Sequence, residues 1–165
     1  MISLKKAEIK DITLIYELAE EIWNKHYIHI ITQQQIDYML GKFYSREAME
    51  KAMENGELFY LVKDENKGII GYLSVTEKEK GIWFMNKYYL RQKNQRSGIG
   101  SFALKLWEKM ASPQILRLQV NRQNYKSVNF YFKNGFTIEE TGDFDIGNGF
   151  TMDDFIMVKK YTTNV

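Results

Sequence analysis

Apolar residues recur along this chain in two periods, and the switches between them mark out its elements. Ser3 to Ala7 reads as a short strand. Asp11 stands where an N-cap is expected, and Ile15, Leu18, Ala19 and Ile22 follow at helical spacing, predicting a helix to about Lys25. Thr32 opens a second helical stretch carrying Ile36, Met39, Leu40 and Phe43. Ser45 opens a third, with Ala48, Met49, Ala52 and Met53, ending near Gly56. The period then shortens. Leu58–Val62, Ile69–Val75 and Trp83–Leu90 are β-rich runs separated by the turn-like segments DENKG and KEKG. Connections this short exclude helical crossovers, so these three strands are expected to be antiparallel.

After Gly98 the helical period returns at Ile99, Phe102, Ala103, Leu106, Trp107 and Met110. Ile115, Leu116, Leu118 and Val120 predict a buried strand, and Tyr125–Asn134 a helix with Gly135 at its C′ position. Phe136–Ile138 and Phe155–Val158 are expected to close the sheet as a hairpin. The strand–helix–strand unit around Gly98 requires one parallel pair. The fold class is therefore α/β (α+β), with a mixed, mostly antiparallel sheet of six to seven strands and helices on both faces.

The bulk numbers narrow the function. The 165 residues suit one domain over 1–165, able to bury roughly 70% of its unfolded surface. Composition is globular, at 44% hydrophobic and 27% charged. A net charge of +2 gives no concentrated basic patch, so no nucleic-acid partner is expected. Cysteine is absent, which excludes disulfides, thiolate metal sites and a cysteine nucleophile. His26 and His29 lack an obvious third ligand, so no metal is expected and they read as solvated or core side chains. The opening MISLKKAEIKD lacks a signal peptide's apolar stretch, and no run approaches the ~18 apolar residues of a membrane span, so a soluble cytoplasmic protein with no membrane partner is expected.

Residues 95–100 read QRSGIG at the mouth of an apolar helix. A helix start presents unpaired N–H groups and about half a positive charge, and glycines let the backbone approach a ligand. The turn suits an anion such as a pyrophosphate, with Arg96 adding charge; the bland alternative is a tight turn that binds nothing. From Gly98 the string also fits the dinucleotide variant G-x-G-x-x-A. That fold expects an acid ~20 residues on, at the end of the next strand. Here the strand ends Leu118, Gln119, Val120, Asn121, without one. No Lys-Ser or Lys-Thr follows the second glycine, so the nucleoside-triphosphate loop fails as well.

The stretch YLRQKNQRSGIGSFALKLW resembles the acetyl-coenzyme A (acetyl-CoA) loop of the GNAT superfamily of N-acyltransferases, with Gln95, Gly98 and Gly100 in the signature places. VNRQNYKSVNFYFKNGF resembles the second signature block, filled in order by Asn124, Ser127, Phe130, Tyr131, Gly135 and Phe136. The tail FDIGNGFTMDDFIMVKKY is similar to the last hairpin of the bacterial polyamine (spermidine/spermine) acetyltransferase branch.

This resemblance implies a GNAT-like sheet with a splay between the fourth and fifth strands, and acetyl transfer from acetyl-CoA to a primary amine. The pyrophosphate would rest on N–H groups of Gln95, Arg96, Ser97, Gly98, Ile99 and Gly100, extended to Ser101. Tyr89 or Leu90 would supply the backbone donor to the reacting carbonyl, and Leu90 would pair with the pantetheine arm. Asn124 and Ser127 would lie along the cofactor, with Asn124 contacting pantetheine or positioning Tyr131. Tyr131 would be the acid that protonates the departing thiolate. Many relatives carry a glutamate on the fourth strand as base; here that place holds Asn86, so neutral-amine capture, a water chain or another residue would substitute, with His26, Tyr27 and Tyr88 as candidates. In the polyamine branch the first-third helices, with Trp23 and Tyr27, form the acceptor side. Glu20, Asp37, Asp143 and Asp145 could attract a cationic amine there or act as ordinary surface charges.

A protein or peptide amine is the alternative acceptor, and a non-catalytic acyl-CoA sensor the alternative class. The oligomeric state stays open, a homodimer included.

Overall fold

The computed structural model describes residues 1–95 and 98–162, and of Gln92 the backbone alone. The chain packs into two compact units: Met1–Thr76 with Lys87–Ala111, and Glu77–Asn86 with the chain from Ser112 onward. Seven strands lie in the order β1-β2-β3-β4-β5-β7-β6.

In the first unit β1 (Ile2–Lys6) pairs antiparallel with β2 (Leu58–Asp64), and β2 with β3 (Gly68–Glu79). Between them lie helices α1 (Ile12–His26), α2 (Gln33–Tyr44) and α3 (Arg46–Glu54). Thr32 and Ser45 cap α2 and α3, their hydroxyls accepting from Gln35 N at 3.1 Å and Ala48 N at 3.2 Å. Asp11 holds the N-cap position of α1 without capping it. Its carboxylate turns back to accept from Glu8 N at 2.9 Å, closing the short 3-10 turn Ile9–Asp11 that precedes the helix.

The register of β2 with β3 shifts where Val62 faces Gly71 and Lys63 faces Ile69, leaving Ile70 as the extra residue of a bulge. Strand β4 (Ile82–Leu90) follows β3 through a two-residue turn, a hairpin connection. Alternate residues at its end serve opposite faces. Leu90 joins Val62, Ile70 and Ala103 in one core, with Tyr88 and Ile99 packed against it. Helix α4 (Ile99–Ala111), which carries Ile99 and Ala103, thus covers that face. Tyr89 turns to the other face and meets Trp23 of α1 and Tyr72 of β3 at ring distances of 5.6 Å. Helices therefore lie on both faces, as the sequence implies.

In the second unit β4 and β5 (Ile115–Asn121) form the parallel pair, from Ile82↔Ile115 to Met85↔Leu118. Both strands continue past the last registered pair. β7 (Phe150–Lys160) pairs antiparallel with β5 and with the edge strand β6 (Thr137–Gly147). This hairpin runs several residues beyond the expected Phe136–Ile138 and Phe155–Val158. Its outer half interleaves Phe144, Ile146, Phe150 and Met152 with acids and glycines, residue types depleted in strands that mask the alternation. Asn148 and Gly149 close it with φ of 53° and 77°, the geometry of a type I′ turn. Helix α5 (Tyr125–Lys133) buries Val128 and Tyr131.

Candidate active site

In the first unit the chain leaves β4 at Leu90, makes a short 3-10 turn over Gln92–Asn94, and enters α4 after Gly98. Gly98 has φ +74°, a conformation that favours glycine, and a Cβ there would meet nothing within 4 Å. Among the described residues nothing crowds that position. Phe102 N donates to Gly98 O at 3.0 Å as the first bond of the helix. Helix geometry leaves the N–H groups just before it, at Ile99, Gly100 and Ser101, without intrahelical acceptors. No acid stands in the first turn to compete for them. This arrangement fits a diphosphate. Arg96 and Ser97, also expected as contacts, lie outside the described residues.

The residues flanking this helix start are braced. Tyr88 donates its hydroxyl to Gly100 O at 2.5 Å, which fixes the start of α4 on β4 and engages Tyr88 as a donor. Gln95 Nε2 donates to Leu90 O at 2.7 Å. The Gln95 side chain thus caps the end of β4, and any cofactor contact from Gln95 itself falls to its backbone. Leu90 is 7% exposed, so its side chain belongs to the core.

Tyr89 sits in a nest of aromatic rings. Trp23, Tyr27 and Tyr72 surround it, Tyr44 packs behind Trp23 and Tyr72, and the Tyr89 hydroxyl lies 3.2 Å from that of Tyr27. Tyr72 donates to the Tyr44 hydroxyl at 2.8 Å. Burial, then the neighbouring phenol, raises the Tyr44 hydroxyl well above the usual phenol range, so it stays protonated. Burial likewise raises Tyr72. His26 packs edge-on against Tyr27, with ring centroids 4.9 Å apart. Nearby, Lys87 pairs with Glu57 at 2.8 Å, and Ser74 donates to the same carboxylate at 2.5 Å. The Lys87 ammonium lies 5.2 Å from the Phe59 ring and 5.5 Å from the Tyr44 ring, a cation–π arrangement inside the fold.

In the second unit Asn124 is 3% exposed and its Oδ1 accepts from Ser127 N at 3.3 Å, capping α5. Tyr131, two turns on, is 8% exposed and packs edge-to-face with Phe130 at 5.3 Å and Phe136 at 5.4 Å. Its ring is therefore held in one orientation. Asn86, in the place of the expected base, is exposed. Asp143 accepts from Arg122 at 2.5 Å.

Sequence reasoning missed several supporting residues. A Cβ on Gly71 would clash with the Tyr89 carbonyl and stand 2.6 Å from Leu90 Cδ2, so glycine there lets β3 and the end of β4 approach. Its cue was an isolated glycine inside a strand pattern. Asp154, 5% exposed on β7, has its carboxyl pushed up to about 6, by burial first and by Asp153 second, with Arg122 opposing. It lies within the tail compared with the polyamine branch, where nothing signals that the carboxyl is buried.

Comparison with known proteins identifies the family. A family model described as an acetyltransferase (GNAT) domain matches residues 28–157. Spermidine N(1)-acetyltransferase of Thermoplasma acidophilum is 29% identical, over 97% of this chain and 98% of its own. The crystal structure of PaiA N-acetyltransferase from Thermoplasma acidophilum, in complex with coenzyme A, superposes with a TM-score of 0.80 at 28% identity, covering 98% and 99% of the two chains. A Vibrio cholerae SpeG spermidine N-acetyltransferase chimera shares the fold, with a TM-score of 0.69 at 21% identity over 96% and 95%. With a phosphate-ready helix start after β4, a capped tyrosine helix after β5, and a family model spanning most of its length, the chain belongs to the GNAT acetyltransferase family.

Proposed function

We propose that the protein transfers the acetyl group of acetyl-CoA to a primary amine, and that the acceptor is a polyamine. The observation that carries the reading is the N-terminus of α4, led by Gly98 at φ +74° and free of acids. The 29% identity to a spermidine acetyltransferase across nearly the whole chain supports the acceptor class.

Bound acetyl-CoA supplies the thioester carbonyl that the amine attacks. The chain's own residues provide the rest. N–H groups at the start of α4 hold the diphosphate. Backbone N–H near Tyr89 or Leu90 donates to the carbonyl oxygen as it gains charge. An alkylammonium has a pKa near ~10.4, so forming the neutral amine at pH 7 costs about 4–5 kcal/mol. Asn86 cannot take that proton, which leaves it to water, with the Tyr27 and Tyr89 hydroxyls able only to relay it. As the new C–N bond forms and the C–S bond breaks, the thiolate, with a conjugate pKa near ~8.5, takes a proton from Tyr131. The ring contacts of Tyr131 with Phe130 and Phe136 support this role by fixing the phenol.

The test is thiol release from acetyl-CoA against spermidine, spermine, putrescine and a lysine peptide. Turnover with a polyamine is the expected result, and turnover with the peptide alone moves the acceptor to protein. The exposed amide at Asn86 favours one competing reading, an acyl-CoA sensor. Cofactor-induced stabilisation, about 2.7 kcal/mol at roughly 100 Kd, without thiol release on any amine would establish it. Stabilisation by NAD alone would overturn both.

A further inference from the structure

We propose that Glu21 and Arg91 form a positioning pair that fastens the end of β4, and with it the turn leading into α4, to helix α1. The ligand class rests on the acetyl-CoA reading above; the acceptor plays no part in the argument.

Arg91 is the first residue past β4 and is held from three directions. Its backbone N–H donates to Ile70 O at 2.9 Å, and its Nη1 donates to Ile69 O at 2.8 Å. Both carbonyls belong to the bulge in β3, where the ladder is interrupted. Its Nε donates to Glu21 Oε2 at 2.9 Å, 70 residues away in sequence. The two side chains are 29% and 35% exposed, so water screens the pair only in part. Burial alone would raise the Glu21 carboxyl, but Arg91 and then Lys25 outweigh it and hold the group below its usual range, fully charged at neutral pH. A guanidinium fixed on a backbone bulge is a rigid anchor, unlike a surface pair that wanders.

The turn hangs from this anchor. Asn94 N donates to Arg91 O at 2.9 Å, and Gln95 Nε2 returns to Leu90 O at 2.7 Å. α1 touches the same strand end a second time, through Tyr27 and Tyr89 with hydroxyls 3.2 Å apart and through Trp23 on the Tyr89 ring at 5.6 Å. Glu21 and Trp23 ride on one continuous helix. Displacing the start of the turn therefore shifts α1, and occupation of the turn reaches Trp23 through Arg91 and Glu21. Glu21 acts through Arg91 and touches no reacting atom.

The probe is 3′-phosphoadenosine 5′-diphosphate, which carries the diphosphate but no arm able to reach Tyr89. It is titrated into full-length protein labelled with 5-fluorotryptophan, the Trp23 resonance assigned with Trp23→Phe. In the wild type the ligand binds and the Trp23 resonance shifts. In Glu21→Gln and in Arg91→Met affinity falls about tenfold, the loss of one charge-assisted contact, and the shift at Trp23 disappears at saturation. Tyr27→Phe keeps both affinity and shift, and Lys25→Met, which removes only the exposed partner of Glu21, matches the wild type. Unchanged affinity in folded Glu21→Gln and Arg91→Met, or an equal Trp23 shift at saturation, overturns the pair while leaving the phosphate site intact. Failure of the wild type to bind the probe removes the phosphate site and the pair together.

Discussion

Replacing Asp154 by Asn should stabilise the protein at neutral pH and leave it nearly unchanged near pH 4. Asp154 is 5% exposed on β7, between Asn121 on β5 and Gly142 on β6. Its carboxyl titrates near about 6 rather than 3.8, through burial and the adjacent Asp153 charge, with Arg122 only partly compensating. Arg122 is drawn elsewhere, to Asp143 at 2.5 Å and Asp153 at 3.9 Å. A folded pKa above the unfolded one means the folded state binds the proton more tightly. The group therefore favours folding least once it ionises. Below about pH 4 both states are protonated and no penalty exists; the penalty grows between about 4 and 6 and is complete above. Two pKa units correspond to about 3 kcal/mol, so the wild type loses up to that much on this account between pH 4 and 7.5. Asn keeps the shape and carries no charge. Urea unfolding of both proteins at half-unit steps from pH 4 to 7.5 isolates the effect, because other shifted groups such as Glu21 and Glu139 cancel in the difference. The expected difference climbs from near zero to about 2–3 kcal/mol, or roughly 4–12 °C in Tm for a chain of this size. A difference flat with pH, or a variant less stable at pH 7.5, would refute the reasoning.

Three further substitutions probe the site. Tyr131→Phe keeps the ring contacts and removes the proton, so kcat should fall by about 10²–10⁴ while KM for acetyl-CoA holds; steady-state kinetics with unchanged kcat would release Tyr131 from the acid role. Gly98→Glu forces a side chain into φ +74° and sets a carboxylate ahead of α4. Calorimetry should show coenzyme A affinity lowered more than about tenfold, and retained affinity would place the phosphates elsewhere. Gly71→Ala drives a methyl against the Tyr89 carbonyl and Leu90, which should cost about 1–3 kcal/mol in urea unfolding and weaken coenzyme A binding; a neutral variant would show that β3 and β4 part without strain.

What the sequence made legible follows from how local each signal is. Thr32 and Ser45 each begin a helix because their hydroxyls accept from an N–H three residues on, wholly within the local sequence. The helical period of α4 and the alternation of β5 are equally local and place both elements, although Phe102 and Met110 of the α4 stripe are exposed and Leu104 is buried instead. The β6–β7 hairpin was underread because its acids and glycines lower the apparent strand propensity and mask the short alternation of Phe144 with Ile146 and Phe150 with Met152. Asp11 was in the right place, yet a carboxylate there could close the turn behind it as readily as cap the helix ahead. Gln95 illustrates the same limit within the site. Its motif position points at a ligand, while its side chain folds back onto Leu90 O, five residues away. The Glu21–Arg91 pair gave no signal at all, because its members meet only after the intervening helices and strands have folded.

The exchange of a glutamate for Asn86 changes which part of the enzyme must handle the amine's proton. A carboxylate on β4 would take that proton directly, while an exposed amide can only hold a water or an N–H in place. The phenols of Tyr27 and Tyr89 can pass a proton between their oxygens but cannot keep one, since a phenol gains a second proton only far below neutral pH. Tyr44 and Tyr72, raised by burial, stay neutral and so offer no phenolate to accept one. Unless the His26 imidazole, edge-on against Tyr27, takes it, the proton ends in solvent, and the rate should follow the fraction of acceptor already neutral. For an amine of pKa near ~10.4 that fraction rises tenfold per pH unit through the neutral range. Acetyl transfer at saturating cofactor and subsaturating polyamine should then climb with a slope near one from about pH 7 to 9, with no inflection from a protein base. Asn86→Glu should bend that profile by adding a base that works below pH 8. A plateau already present in the wild type would mean that another carboxylate or imidazole reaches the amine, and that the amide at position 86 displaced no chemistry.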